Sequence, residues 1–287
     1  MLNRELEVAM LLARTAGVEV VRIRDGGGLG VELKPGDEPV TLADTAASEM
    51  IVAGLRAAFP DDPVISEESP NNLVAASASR PLHLGPGALA KRRYWLVDPI
   101  DGTKDFIRGS DGFSVMIGLV EDGVPVLGVV HQPTIDRMFF ATPEGAFVDH
   151  AGTRTRLVVD QVREVASARL VASASHRSED IDRVKATLGI NDEQNVGSVG
   201  VKLALIAMGV RDLYVNPWPK TKAWDTCAPQ AILVGAGGRL TDLFGCSIDY
   251  TGALNHPRGL VASNGLIHDE VVAKIAPLFE ALRHAGS

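Results

Sequence analysis

The run Trp95-Leu-Val-Asp-Pro-Ile-Asp-Gly-Thr-Lys-Asp105 constrains this chain more than any other feature. It opens as a strand apolar enough to be buried and ends in two acids three positions apart, followed by Gly-Thr. Pro99 biases Asp98 toward extended backbone and removes one donor, so the chain can turn while Asp98 and Asp101 face one space. Oxygen-only ligands of this kind suit Mg²⁺, which takes near-octahedral coordination at about 2.0–2.1 Å and keeps some of its waters. If Gly102 and Thr103 open a helix, their free amides can hold a phosphate beside the metal. The competing reading of this segment alone is a turn whose acids cap the next helix.

Three further acids sit where a strand ends or a helix begins. Thr41-Leu-Ala-Asp44 opens a helix, Ile65-Ser-Glu-Glu68 follows a short strand, and Ala223-Trp-Asp-Thr226 starts another helix. Singly, Asp44 reads as a dipole-favoured helix acid, Glu67 as a loop residue and Asp225 as an N-cap. Their joint occurrence with Asp98 and Asp101 favours one carboxylate cluster.

The rest of the pattern is that of a layered helix and sheet protein. Helical spacing marks Arg4 to Ala16, with Leu6, Met10 and Ala13 and, off that stripe, Leu12, and it marks Thr41 to Phe59. Between them, Arg24 to Pro39 has the composition of a loop or a loosely held hairpin, and no Gly-Lys-Ser/Thr follows to make it a P-loop. Trp95–Val97, Phe113–Val120, Val124–His131 and Met138–Ala141 predict an antiparallel meander. The second half alternates, with strands at Leu170–Ala172, Asp212–Val215, Arg239–Asp242 and Gly259–Ala262. Helices are predicted near Ser178–Leu188, Val199–Met208, Asp225–Gly235 and from Ile267 onward. Pro81 to Gly87 reads as an insertion loop. We divide the chain into a metal-binding lobe, 1–155, and a lobe 156–287 that contributes Asp225, the two forming one compact unit.

Composition narrows the partners. A formal charge of −8 and an aromatic fraction of 5% argue against a nucleic-acid surface, so phosphate must meet positive charge locally. No run reaches membrane-spanning length, and Arg4, Glu5 and Glu7 interrupt the first apolar stretch, which predicts a cytoplasmic protein without membrane association. The two cysteines, Cys227 and Cys246, lack metal-site spacing and are expected to be reduced. Monomer and homodimer are equally compatible with the pattern.

Asp-Pro-Ile-Asp-Gly-Thr at 98–103 and Trp-Asp-Thr-Cys-Ala-Pro at 224–229 resemble the inositol monophosphatase superfamily of magnesium-dependent phosphatases. Glu-Pro-Val-Thr-Leu-Ala-Asp at 38–44 and Ile-Ser-Glu-Glu-Ser at 65–69 agree. The resemblance implies a five-layer α/β/α/β/α sandwich and sensitivity to lithium. It implies two or three Mg²⁺ ions held by Glu67, Asp98, the Ile100 carbonyl, Asp101 and Asp225. Asp44, Thr103 and Glu67 would be catalytic, the first two orienting and deprotonating the attacking water, with the Gly102 and Thr103 amides on the phosphate. Two cations about 3.5–4 Å apart would lower the water's pKa and stabilise the leaving alkoxide.

Lys104-Asp105, Ser173-Ala-Ser-His176 and Gly197-Ser-Val-Gly-Val-Lys202 resemble the 3′(2′),5′-bisphosphate nucleotidase branch. That branch converts adenosine 3′,5′-bisphosphate to AMP and phosphate, clearing a by-product of sulfate assimilation. Its usual serine-arginine-serine-histidine is Ser-Ala-Ser-His here. Ser173, His176, Lys202 and Lys222, with Asp225, are the substrate-binding candidates, and Lys220 is a further cation for a second phosphate. Trp224, beside a metal ligand, is expected to be packed, and base stacking by Trp218 is the less favoured reading of that residue. The rivals are an inositol monophosphatase or broad sugar-phosphate phosphatase and, from another class, a non-catalytic metal or nucleotide-binding regulator.

Overall fold

A computed structural model describes residues 2–34, 38–69, 87–174, 178–252 and 254–284. Two helices, α1 (Asn3–Asp25) and α2 (Leu42–Ala58), pack side by side, and the chain between them forms a hairpin of β1 (Glu32–Lys34) and β2 (Glu38–Val40). The first helix continues well past the predicted Ala16. It buries a stripe of small residues, Ala9, Ala13, Ala16, Gly17 and Val20, while Leu6, Met10 and Leu12 are only partly buried. Packing explains the extension: a Cβ at Gly17 would lie 2.7 Å from the His131 ring, so glycine lets the helix lie directly against the sheet. In α2, Thr41 and Asp44 form a reciprocal capping box.

The larger sheet has seven strands in the order β3 (Val64–Ser66), β4 (Arg93–Asp101), β5 (Ser114–Glu121), β6 (Val124–Gln132), β7 (Arg137–Thr142), β8 (Gly145–His150) and β9 (Thr153–Arg156). All neighbours are antiparallel except β3 and β4, and α3 (Thr103–Ile107) follows β4. The last two strands exceed the predicted meander. Every residue of β9 is exposed, so it has no apolar alternation to reveal it.

The second sheet begins with β10 (Leu170–Ser173), α4 (Glu179–Leu188), β11 (Glu193–Val196), α5 (Val199–Ala207) and β12 (Leu213–Asn216). After β13 (Thr221–Lys222) come α6 (Ala223–Gly235), β14 (Arg239–Thr241), β15 (Asn255–His256), β16 (Leu260–Ser263) and α7 (His268–Ile275). Its strand order is β11-β10-β12-β16-β14, and β13 pairs with β15 apart from it.

Period-two alternation sorts the buried side chains into layers. Trp95 and Val97 of β4 and Val115 and Ile117 of β5 pack with α1 and α2, whereas Tyr94, Leu96 and Met116 face α5 and α6. From the other sheet Val171, Tyr214 and Ala262 meet the same two helices, while Leu170, Leu213 and Val261 turn to α4 and α7. The order is therefore helices, sheet, helices, sheet, helices, the expected α/β/α/β/α sandwich.

Glycine contacts seat the central α6. A Cβ at Gly118 would meet the Cys227 sulfur at 2.5 Å, and one at Gly128 the Ala228 carbonyl at 2.1 Å. The sheet surface is hollowed for this helix, and the fit sets the position of its first turn, which carries Asp225.

Candidate active site

Four of the five acids singled out in the sequence line one cleft. Glu67, Asp98, Asp101 and Asp225 share it with Ile100, Gly102 and Thr103 and with Lys104, Ser173, Lys202, Lys220 and Lys222. Its enclosed space is about 200 Å³, and it opens to solvent at its mouth. His176 lies outside the described residues.

Each acid is brought in by a different device. Strand β4 runs through Pro99 to Asp101, with an irregular register against β5 between Asp98 and Asp101. Gly102 then turns at φ +93°, where a Cβ would stand 3.0 Å from the Gly112 carbonyl, and caps α3 with Thr103 as its first residue. One oxygen of Asp101, Oδ2, accepts from the Ser198 hydroxyl at 2.6 Å and the Gly200 amide at 2.8 Å, at the start of α5. Asp225 is not the N-cap that its isolated sequence suggested. It is the third residue of α6, and its Oδ2 accepts from the amide of Lys222, the N-cap, at 2.8 Å.

Asp44 stands behind this front. Its Oδ2 accepts from the Thr41 amide at 2.8 Å and the Thr41 hydroxyl at 2.5 Å, and its Oδ1 lies 3.4 Å from the Thr103 hydroxyl. The Thr103 hydroxyl also reaches the Ile100 carbonyl at 3.0 Å.

Concentrated negative charge dominates the electrostatics. Burial, then repulsion from Glu67, Asp101, Asp225 and Asp44, drives Asp98 well above the carboxylate range. Burial and the neighbouring Asp101 and Glu67 do the same to Asp225. Burial raises Asp44 to about 6, against its bonds to Thr41, and Glu67 to about 7, against the pull of Lys34. Asp101 is also raised by burial, but Lys202 and Ser198 oppose the rise. Burial depresses Lys202 to about 8 despite Asp101, Asp105 and Asp225 nearby.

These residues fit a hard cation. The donors are all oxygens, and Asp98 Oδ1 is buried without a hydrogen-bond partner among the described residues, an arrangement that costs free energy unless something positive sits against it. Even so, no three His, Cys, Asp or Glu side chains among the described residues are gathered into a ready metal cage. The physical reason is that several acids already hold other partners. Lys34, from the β1–β2 hairpin, bonds Glu67 at 2.9 Å and Glu68 more closely still. Although burial works against it, these carboxylates hold Lys34 firmly charged. The expectation that Glu67, Asp98, Asp101 and Asp225 share ions thus meets acids that face one cleft without yet converging.

A profile of the inositol monophosphatase family matches residues 1–280. The chain belongs to that family. The 3′(2′),5′-bisphosphate nucleotidase CysQ of Salmonella typhimurium is 38% identical over 247 residues, 86% of this chain and 94% of that protein. The histidinol-phosphatase of Mycobacterium tuberculosis is 34% identical over 281 residues, 96% and 99% of the two chains. Among solved structures, the IMPase of Thermotoga maritima superposes with a TM-score of 0.77 at 28% identity, covering 97% of this chain and 99% of that one. An inositol monophosphatase family member with this carboxylate set is a phosphatase.

Two residues that bond the cleft's acids carry no local signal for it. Lys34 falls in a segment of loop-like composition, and nothing nearby announces a partner 33 residues away. Ser198 lay within a stretch read for substrate contacts, yet its hydroxyl bonds Asp101 and Ser114. Lys202, expected on a phosphate, is 1% exposed and donates to the carbonyls of Val196 at 3.2 Å and Gly197 at 2.6 Å. No helix among the described residues is long and apolar enough to cross a membrane, and both cysteines are free.

Proposed function

We propose that this protein is a Mg²⁺-dependent 3′(2′),5′-bisphosphate nucleotidase acting on adenosine 3′,5′-bisphosphate in the cytoplasm. The observation that carries the reading is that lysines share the acid-lined cleft. Lys104, Lys202, Lys220 and Lys222 line it together with Glu67, Asp98, Asp101 and Asp225. A second phosphate on the substrate needs cationic donors of its own, and these lysines can supply them. The similarity to the CysQ nucleotidases points the same way.

Glu67, Asp98, the Ile100 carbonyl, Asp101 and Asp225 would hold the metal, which supplies positive charge to the phosphoryl oxygens and the leaving group. The amides of Gly102 and Thr103 orient the phosphate. The attacking water gives its proton to the Thr103 hydroxyl as Thr103 passes its own to Asp44 Oδ1, 3.4 Å away. Burial has set Asp44 at about 6, basic enough to accept and close enough to neutrality to release. Lys222, whose ammonium bonds Asn255 at 2.6 Å, and Lys220 serve the second phosphate more readily than the enclosed Lys202.

The test is turnover of adenosine 3′,5′-bisphosphate, inositol 1-phosphate and histidinol phosphate, each with Mg²⁺ and with excess chelator. The nucleotide should be hydrolysed with kcat/KM at least about tenfold above the others, and chelation should stop the reaction. Preference for either monophosphate would overturn the assignment.

A further inference from the structure

The cleft mouth carries an aromatic side chain that the phosphate chemistry leaves unused. Of the three tryptophans, Trp95 is fully buried and Trp224 is 4% exposed, whereas Trp218 is 44% exposed and lines the cleft beside Lys220. Exposed indole costs hydration free energy, and the loop that presents it is braced rather than slack. Asn216, at the end of β12, accepts from the Trp218 amide at 3.0 Å and donates from Nδ2 to the Thr221 hydroxyl at 3.0 Å. One side chain therefore ties both ends of the loop that runs from β12 to β13. The Lys220 ammonium lies 5.2 Å from the indole centroid, a cation–π contact.

We propose that Trp218 is the specificity-determining platform on which the purine base of the substrate stacks, with Lys220 exchanging its indole contact for the substrate's second phosphate. This rests on the nucleotide reading above and adds to it the residue that distinguishes a nucleotide from a sugar phosphate. Base and indole stack π face against π face, a contact that a sugar, offering only C–H groups, does not make. The ammonium released from the ring is placed to neutralise a phosphate on the same ligand. Bracing by Asn216 means that little loop ordering is left for the binding step.

The experiment compares the full-length wild type, Trp218→Ala and Trp218→Phe in Mg²⁺ with adenosine 3′,5′-bisphosphate and with the base-free analogue 1-O-methylribose 3,5-bisphosphate. Trp218→Ala should raise the KM ratio of nucleotide to analogue about tenfold, and Trp218→Phe should restore most of it. Binding of AMP should quench the wild-type tryptophan fluorescence and leave that of Trp218→Phe largely unchanged. A KM rise equal for both substrates, or quenching that survives Trp218→Phe, overturns the stacking role while the nucleotidase assignment stands. Wild type that hydrolyses neither bisphosphate overturns both.

Discussion

Replacing Asp44 by Asn should stabilise the metal-free protein while destroying its activity. The side chain is 2% exposed, and burial holds its carboxyl at about 6 rather than 3.8. At neutral pH the native chain carries this acid ionised at a cost, relative to the unfolded chain, of about 3 kcal/mol. Asparagine keeps the architecture: its Oδ1 can still accept from the Thr41 amide and hydroxyl, and its Nδ2 can donate to Thr103, which retains the Ile100 carbonyl as acceptor. Only the charge is lost. The sign follows from the raised value. Below pH 3.8 both states of the wild type are protonated at Asp44 and the variant gains nothing. Between 3.8 and about 6 the unfolded state ionises first, so the gain grows, and above about 6 it is constant. Urea unfolding with chelator present should show about 3 kcal/mol of stabilisation at pH 8 and about 1 kcal/mol at pH 4.5. The melting midpoint at pH 8 should rise by on the order of 5 °C. Saturating Mg²⁺ should narrow the gap by stabilising the wild type's carboxylates. A variant no more stable than wild type at pH 8, or a gain unchanged down to pH 4.5, would refute the account of Asp44 as a strained, buried base.

Asp98→Asn removes charge from the carboxylate whose Oδ1 lacks a partner among the described residues. Isothermal calorimetry should find Mg²⁺ affinity lowered by more than about 100-fold with the circular dichroism spectrum unchanged, and retained affinity would exclude this acid as a ligand. Gly128→Ala drives a methyl against the Ala228 carbonyl, so denaturant titration should show a loss of about 3 kcal/mol, with activity falling as α6 and Asp225 are displaced. Gly28→Ala, which meets nothing within 4 Å, is the control and should stay within about 0.5 kcal/mol of wild type.

Local chemistry decided what this chain could announce by itself. Asp-Pro-Ile-Asp-Gly-Thr and Trp-Asp-Thr-Cys-Ala-Pro are short segments in which backbone constraint and ligand type are written together, so the acids and the turn at Gly102 were readable before any contact was known. The continuous apolar runs of β4 to β7 are equally local signals, whereas β8 carries only the short run Ala146-Phe-Val148 and β9 is exposed throughout, so neither announces itself. The strand β11, Glu193–Val196, is mostly polar and escaped for the same reason. The tertiary structure alone decided how the acids are held. Asp101 takes Ser198 from 97 positions away, Glu67 takes Lys34 from the hairpin, and Asp225 reaches the cleft because Gly118 and Gly128 let α6 sink onto the sheet. It also separated the tryptophans, enclosing Trp224 and leaving Trp218 at the mouth. Residue type and spacing specify which groups can ionise, ligate or turn. The distances between groups far apart in the chain, and the burial that moves their protons, exist only once the five layers have closed.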